Sequence, residues 1–344
     1  MNDAAGVDPA ARIRGPDLHA RRLHGRVAAS AGEPIGALDY SGAATEGGLG
    51  LKPIRPAAID QWLGSGRDVI AGHRGAAGRR LEWRDDGQFV FGRIDVAESG
   101  TEDTTLEDAA STAYASVFAT LGDRGRPQLL RVWNYVPRIN ADQGGLERYR
   151  RFNLGRQRAF AAAGEDAFTQ APAACAVGRD AGPLTVCFLA SRRPWRRIEN
   201  PRQVSAYRYG AHYGPASPSF SRATLGVMDD DHLALLISGT ASIVGQESCH
   251  PGDPARQTVE TLANLRAVID AAHGVGSARF ELGTMALTIY LRNPRDWPVV
   301  ERALREALGD EAALRDAVAV QADICRADLL VEIEAHAVRP GALR

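Results

Sequence analysis

The segment Cys325-Arg-Ala-Asp-Leu-Leu-Val-Glu-Ile-Glu-Ala-His336 places two carboxylates inside an otherwise apolar run. From Leu330 to Ala335 the alternation predicts a strand with Glu332 and Glu334 on one face and Val331, Ile333 and Ala335 on the other. Such a face is either solvated on an edge strand or buried beside a cleft. In the second case burial raises a carboxyl pKa, and the group carries a proton near neutral pH. Alternation alone leaves both readings open. The final strand is expected over 324–336.

Upstream, strand-like Ala234-Leu-Leu-Ile237 leads into Gly239-Thr-Ala-Ser-Ile-Val and a polar loop over 245–256. Residues 257–273 set Leu262, Leu265, Ile269 and Ala272 on one helical face. A strand over 280–291 and a helix over 297–308 follow. In the first half, Leu81, Trp83, Phe89, Phe91 and Ile94 alternate around Asp85-Asp86-Gly87, which predicts a hairpin over 80–96. A helix is expected to start at Thr104 or Thr105, with Glu107 or Asp108 completing a capping box, and to stop at Gly122. Residues 129–135 predict a strand ended by Pro137, 146–163 a helix closed by Gly164, and 183–191 a buried strand. The Arg/Pro-rich 192–202 reads as a linker, and residues 1 to about 50 as a loosely structured lead-in whose first few residues are disordered. Each half therefore reads strand, helix, strand, helix, strand. That is an α+β plan of two similar halves, each sheet covered by helices on one face.

With 344 residues, 44% hydrophobic and 24% charged, the chain is long enough for two domains. A net charge of -1 leaves no footprint for nucleic acid or an anionic membrane, so the expected partner is a small molecule. Lys52 is the single lysine, which excludes a Schiff-base mechanism at any other position. Arginine, abundant here, grips carboxylates bidentately. Cys175, Cys187, Cys249 and Cys325 form no CxxC pair and no disulfide framework, as expected in a reducing cytoplasm. The N-terminus lacks a basic region followed by an apolar run, and no stretch of about 18 apolar residues occurs, so neither secretion nor membrane insertion is expected.

Three constellations could carry chemistry. The first is 131–156: a strand ending in Asn134, Tyr135 and Arg138 delivers polar groups to a sheet end, and Tyr149 and Arg156 share a helix face with Asn153 and Phe160. A phenol and a guanidinium on one stripe suit a carboxylate, although a solvated arginine face gives the same pattern. The second gathers Tyr207, Tyr209, His212, Tyr213 and Ser219-Phe-Ser-Arg222, which could line a site for a cyclic anion or close a core. The third is Ser238-Gly-Thr-Ala-Ser242, where a glycine after a buried strand permits close approach of a ligand or forms a bulge. No HExxH or Cys/His cluster, GxxxxGK[ST] loop, dinucleotide GxGxxG or Gly-x-Ser-x-Gly elbow is present, which argues against a metal centre, nucleotide binding and a serine hydrolase.

The second half, through Ser238-Gly-Thr-Ala-Ser242, Gly252-Asp253, Gln257-Thr258, Asn264-Leu265, Ile289-Tyr-Leu-Arg-Asn293 and Val331-Glu-Ile-Glu-Ala335, resembles the RidA/YjgF fold. Residues 80–340 resemble the chorismatases, two-domain relatives of that fold, through Asn134-Tyr-Val-Pro-Arg-Ile-Asn140, Leu146-Glu-Arg-Tyr149, Gly155-Arg156, Ser219-Phe-Ser-Arg-Ala223, Gly239-Thr-Ala-Ser-Ile243 and Cys325-Arg326; residues 1–70 are poorly covered. The resemblance implies two RidA/YjgF-like (chorismate-mutase-like) domains, each a mixed sheet with helices on one face. Residues 1–70 would be a partly irregular extension, 71–200 the first domain, and 201–344 the second, with the C-terminal catalytic strand. It implies removal of the enolpyruvyl side chain of chorismate as pyruvate, without metal or organic cofactor, by a cytoplasmic monomer or small homo-oligomer. Glu332 would protonate the vinyl methylene; Arg156 with Tyr149 would hold a carboxylate; Tyr209 and Arg222, with Gly239, Asn134 and Arg138, would complete the site. Gly239 and Cys325 are similar to the subgroup that aromatises the ring to 3-hydroxybenzoate, some members giving 4-hydroxybenzoate as well. The alternatives are hydrolysis to a dihydroxycyclohexadiene carboxylate, and a RidA-type deaminase or ligand-binding module.

Overall fold

The computed structural model describes residues 19–24, 34–40, 48–55, 58–63, 69–75, 79–98, 106–165, 171–210, 213–309 and 312–344. Among these, one seven-stranded sheet runs, edge to edge, Asp323–Ile324, Ala173–Arg179, Gln128–Pro137, Leu184–Ser191, Phe89–Val96, Leu81–Asp85 and Ile70–Arg74. A second runs Trp195–Ile198, Ala223–Val227, His232–Ala241, Val331–Pro340, Ala286–Leu291, Val318–Gln321 and Lys52–Pro53. Both are mixed: Gln128–Pro137 pairs in parallel with Ala173–Arg179, and Ala286–Leu291 with Val318–Gln321, whereas the other ladders are antiparallel. The α+β plan therefore stands.

Alternation sorts each sheet into two faces. In the second, Leu235, Ile237, Leu287, Ile289, Val331 and Ile333 pack with Leu262, Leu265 and Ile269 of the helix Pro254–His273 and Val300 and Leu304 of the helix Trp297–Leu308. In the first, Val90, Ile94, Val132, Val136 and Phe188 pack under the helices Leu106–Asp123 and Arg148–Ala163. The remaining faces meet each other: Phe91, Trp133, Tyr135 and Leu189 form one core with Leu236, Tyr290 and Val318. Helices thus lie outside and the two sheets face inward. A strand face that looked half-polar in isolation is consequently buried.

Local chemistry explains the turns. In the 80–96 hairpin, Asp85 Oδ1 accepts the Gly87 N–H at 2.8 Å, Asp86 Oδ1 accepts those of Gln88 and Phe89 at 2.9 and 2.7 Å, and Gly87 takes φ +87°. The helix Arg148–Ala163 ends at Gly164 with φ +68°, as expected. Gly122, in contrast, does not stop the preceding helix, which runs to Asp123; the left-handed pair Gly125 and Arg126 turns the chain, and the Arg126 N–H donates to Leu121 O at 2.7 Å. Thr104 and Thr105 lie outside the described residues. The third helix begins at Pro254 rather than 257, because Asp253 caps it by accepting the Arg256 N–H at 3.0 Å.

Several segments depart from expectation. The 192–202 linker contains the strand Trp195–Ile198. The polar loop 245–256 contains Glu247–Ser248, paired with Ile243–Val244, and the strand expected over 280–291 is confined to Ala286–Leu291 behind a short 3-10 turn. The lead-in is ordered where it is described: Ala58–Leu63 pairs with His19–His24 and Pro34–Asp39, and Ile35, Leu38, Tyr40 and Trp62 join the core between the sheets. Its alternation was hidden by Ala and Gly, which carry little strand signal.

Candidate active site

The strand Val331–Pro340 is central, hydrogen-bonded to His232–Ala241 on one side and Ala286–Leu291 on the other. The edge-strand reading is thereby excluded, and both carboxylates are buried, Glu332 at 3% and Glu334 at 6% exposure. Their surroundings differ sharply. Glu334 accepts from Arg131 Nη2 at 2.5 Å, Trp133 Nε1 at 3.0 Å and Tyr290 OH at 2.5 Å, while Arg131 Nη1 also donates to Ile237 O at 3.1 Å. Arg131 and Trp133 belong to the first sheet and Glu334 to the second, so this ion pair rivets the sheets together. The Glu332 carboxyl forms no hydrogen bond with the described residues and faces the cavity. Burial, then the charge of Glu334, push its carboxyl up to about 8 against the opposing pull of Arg131. It is therefore a protonated acid near neutral pH.

Space for that acid is made by a bulge. The register between His232–Ala241 and Val331–Pro340 shifts between Ile237 and Thr240, so Ser238 and Gly239 lie outside the regular ladder. Ser238 Oγ donates to Ser221 O at 2.5 Å and accepts the Ala174 N–H at 2.9 Å, pinning the bulge to the first sheet. At Gly239 a Cβ would lie 1.9 Å from Glu332 Oε1 and 3.1 Å from Cys175 Cβ. Gly239 thus sits in a bulge, and what approaches it closely is the acid rather than a ligand.

A cavity of about 370 Å³ opens beside Glu332, walled by Tyr149, Tyr209, Tyr213, Phe220, Arg222, Gly239, Cys325 and Arg326, with Glu147, Arg150 and Asp328 also reaching it. Arg222 is buried, stacks over Tyr209 and Phe220, and donates through Nη2 to Tyr209 OH and Val204 O, both at 2.8 Å. The Tyr149 phenol is pushed upward first by burial and then by Cys325, and burial followed by Glu332 takes the Cys325 thiol to about 12. Both are neutral at physiological pH, so Cys325 supplies a small uncharged wall rather than a thiolate.

The expected site residues separate into two groups. Glu332, Cys325, Tyr149, Tyr209, Arg222 and Gly239 meet at the cavity. Arg156 does not line it: this guanidinium is buried on the Tyr149 helix, donates to Asn153 Oδ1 at 2.9 Å, and has an Nε without a partner. Gly155 beside it brings this helix against its neighbour, since a Cβ there would lie 1.9 Å from Glu107 O. Asn134 and Arg138 do not line the cavity either. Alternation turns Asn134 to the helix side, where Tyr114 OH donates to it at 2.9 Å and its Nδ2 donates to Cys175 O at 2.7 Å. Arg138 is an exposed turn residue with φ +50°. His212 lies outside the described residues.

Cys325 is also not on the final strand. Residues 325–330 form a loop whose backbone is held by side chains: Arg292 donates to the carbonyls of Ile324, Arg326 and Leu329 at 3.2, 2.9 and 2.9 Å, and Gln257 accepts the Leu330 N–H at 2.7 Å and donates to Asp328 O at 2.9 Å. Arg292 further bonds Asp323 at 2.5 Å and Asn140 of the first half at 3.1 Å. The sequence reading missed Arg326, Arg292 and the donors to Glu334. Only Arg326 had a signal, its place directly after Cys325. Among the described residues no group of three or more His, Cys, Asp or Glu side chains gathers as metal ligands would, and no helix is long and apolar enough to cross a membrane.

Residues 62–190 match the family described as Chorismatase FkbO/Hyg5-like, N-terminal, and residues 225–339 match the family described as Endoribonuclease L-PSP, in keeping with a RidA-like second half. A 3-hydroxybenzoate synthase from Streptomyces hygroscopicus is 37% identical over 265 residues, covering 74% of this chain and 75% of the relative. A chorismatase from Streptomyces rapamycinicus is 38% identical over 284 residues, 80% of each chain. A crystal structure of a chorismatase superposes with a TM-score of 0.79 at 30% identity, covering 93% of this chain and 98% of the other. The agreement spans both halves, and the chain belongs to the chorismatase family.

Proposed function

We propose that the chain converts chorismate to 3-hydroxybenzoate and pyruvate, Glu332 protonating the enolpyruvyl methylene. The observation that carries this reading is a buried carboxyl, pushed up to about 8, facing a cavity with no competing hydrogen bond. Protonation at carbon makes an oxocarbenium ion, and the carboxylate left behind is the proton acceptor that closes the cycle. Water or the neighbouring ring hydroxyl can capture the cation. Hydrolysis adds a water molecule, whereas parting into hydroxybenzoate and pyruvate adds none, so a wall of Phe220, Ala241, Ile243 and neutral Cys325 favours the intramolecular route. The same route accommodates a fraction of 4-hydroxybenzoate.

The substrate is a dicarboxylate, and the site is cationic in the way that requires. Arg222 and Arg326 at the cavity and Arg156 on the Tyr149 helix form no ion pair with the described residues, and each has a buried guanidinium nitrogen without an acceptor. Tyr149, Tyr209 and Arg222 are assigned to substrate contact, and Arg156 to the support of that wall through Asn153. Cys325 steers the cation toward aromatisation. A division into 1–70, 71–200 and 201–344 goes with this reading, each sheet-bearing half giving one side of the cavity. One chain supplying both walls fits a cytoplasmic monomer or small homo-oligomer. Incubating the protein with chorismate, following pyruvate with lactate dehydrogenase and separating the ring product by chromatography tests the proposal. Pyruvate with an aromatic product is expected, and absence of pyruvate overturns it.

A further inference from the structure

Arg326 is the cationic wall residue that the assignment of the acid and the tyrosines leaves without work. Its Nη1 donates to Gln246 O at 2.8 Å, Ser248 Oγ at 3.2 Å and Tyr213 OH at 3.5 Å. Its Nη2 is shielded from solvent and has no acceptor. The guanidinium plane is fixed over Tyr213 at 4.2 Å and Tyr209 at 5.3 Å. Asp328, the carboxylate in the same loop and cavity wall, is taken by Ser248 Oγ at 3.2 Å and forms no ion pair with Arg326. A desolvated donor of a charged group is costly to leave unmade, and an arginine preset by stacking and by bonds to its other nitrogen loses little freedom when an acceptor arrives. The loop that carries it is locked by Arg292 and Gln257.

We infer that Arg326 is a carboxylate ligand of the cavity, its guanidinium donating to one carboxylate of a bound cyclic dicarboxylate, with Arg222 also set against Tyr209. The inference rests on the chorismate reading and adds a recognition residue to it. It assigns no proton transfer to Arg326, so the signature is in binding rather than in the chemical step.

The test uses the full chain with Arg326→Met and Arg326→Lys. With chorismate, loss of a charge-assisted hydrogen bond is expected to raise KM about 10- to 100-fold in the Met variant with kcat within about threefold of wild type, and Lys should recover part of the loss by restoring charge. Calorimetric titration with 3-hydroxybenzoate, which carries only a ring carboxylate, and separately with pyruvate, which carries only the side-chain one, identifies which group is held: affinity for one probe should fall about tenfold or more. Retained affinity for both, or a kcat loss at unchanged KM, overturns the assignment. Because Nη1 also ties down the 246–248 turn, Ser248→Ala is the packing control, expected to stay within about twofold of wild-type KM. If it reproduces the Arg326→Met defect, the role is structural and the inference falls. A wild type that turns over chorismate while the Met variant binds both probes normally sinks this inference alone; a wild type that releases no pyruvate sinks the chorismate reading.

Discussion

Replacing Glu332 by Gln keeps the shape of the side chain and removes the transferable proton. With a pKa of about 8, the native carboxyl is protonated over ionised by about 10 to 1 at pH 7, so most molecules are loaded with the acid. Wild-type kcat/KM should be level through neutral pH and fall tenfold per pH unit above about 8, and the Gln variant should bind chorismate with little change in KM while kcat falls about 10²- to 10⁴-fold. Stability gives an independent readout. The folded state holds this proton more tightly than the unfolded chain, whose carboxyl titrates near 4.5, so stability is highest below pH 4.5, declines as pH rises to about 8, and is level beyond. Wild type should therefore lose up to about 5 kcal/mol across that window through this one group, and the Gln variant none of it. Urea unfolding of both proteins at pH 5 and pH 9 should show the variant gaining relative to wild type at the higher pH. Parallel stability curves, or an alkaline limb of activity near pH 5, would refute the account of Glu332 as a burial-raised acid.

Gly239→Ala places a Cβ against Glu332 Oε1 and forces the acid to move, so turnover should fall at least about tenfold while the fold persists; wild-type turnover in this variant would show that the acid has slack the geometry denies. Glu334→Gln leaves Arg131 buried without its counter-charge and should cost about 3–5 kcal/mol in urea unfolding, and the alkaline limb of activity should move to lower pH because a charge that raises the Glu332 pKa is gone. Cys325→Ala alone is the cleaner probe of product choice, since pairing it with Gly239→Ala would also disturb Glu332. Chromatography should show dihydrodiol rising against 3-hydroxybenzoate with pyruvate release retained, and an unchanged ratio would remove Cys325 from that role.

The alternation around Glu332 fixed which side chains share a face, and it held because a strand obeys it wherever the strand sits in a sheet. It could not say that the face was buried. That depends on Arg131, Trp133 and Tyr290, which lie 203, 201 and 44 positions away from Glu334 and meet it only once two sheets close. The same non-locality governs Asn134, whose partners, the Tyr114 hydroxyl and the Cys175 carbonyl, lie on the helix side and leave no trace in the local pattern. Cys325 looked like the start of a strand because the apolar run is nearly continuous; Arg292 and Gln257 take over the backbone groups that a ladder would use. The helices Arg148–Ala163 and Trp297–Leu308 were legible because their caps and periodicity are local.

Between Gln321 and Val331 the chain leaves the second sheet, pairs Asp323–Ile324 against the edge of the first, and returns, while Lys52–Pro53 from the N-terminal segment pairs with the far side of the second. Each sheet is therefore finished by a strand from outside its own part of the chain. Exchanging one half for that of a related chain would have to match both of these strands and the Arg131–Glu334 rivet at once. The excursion through Asp323–Ile324 delivers Cys325 and Arg326 to the cavity on its way back, and a recombinant that mismatched this strand would misplace both.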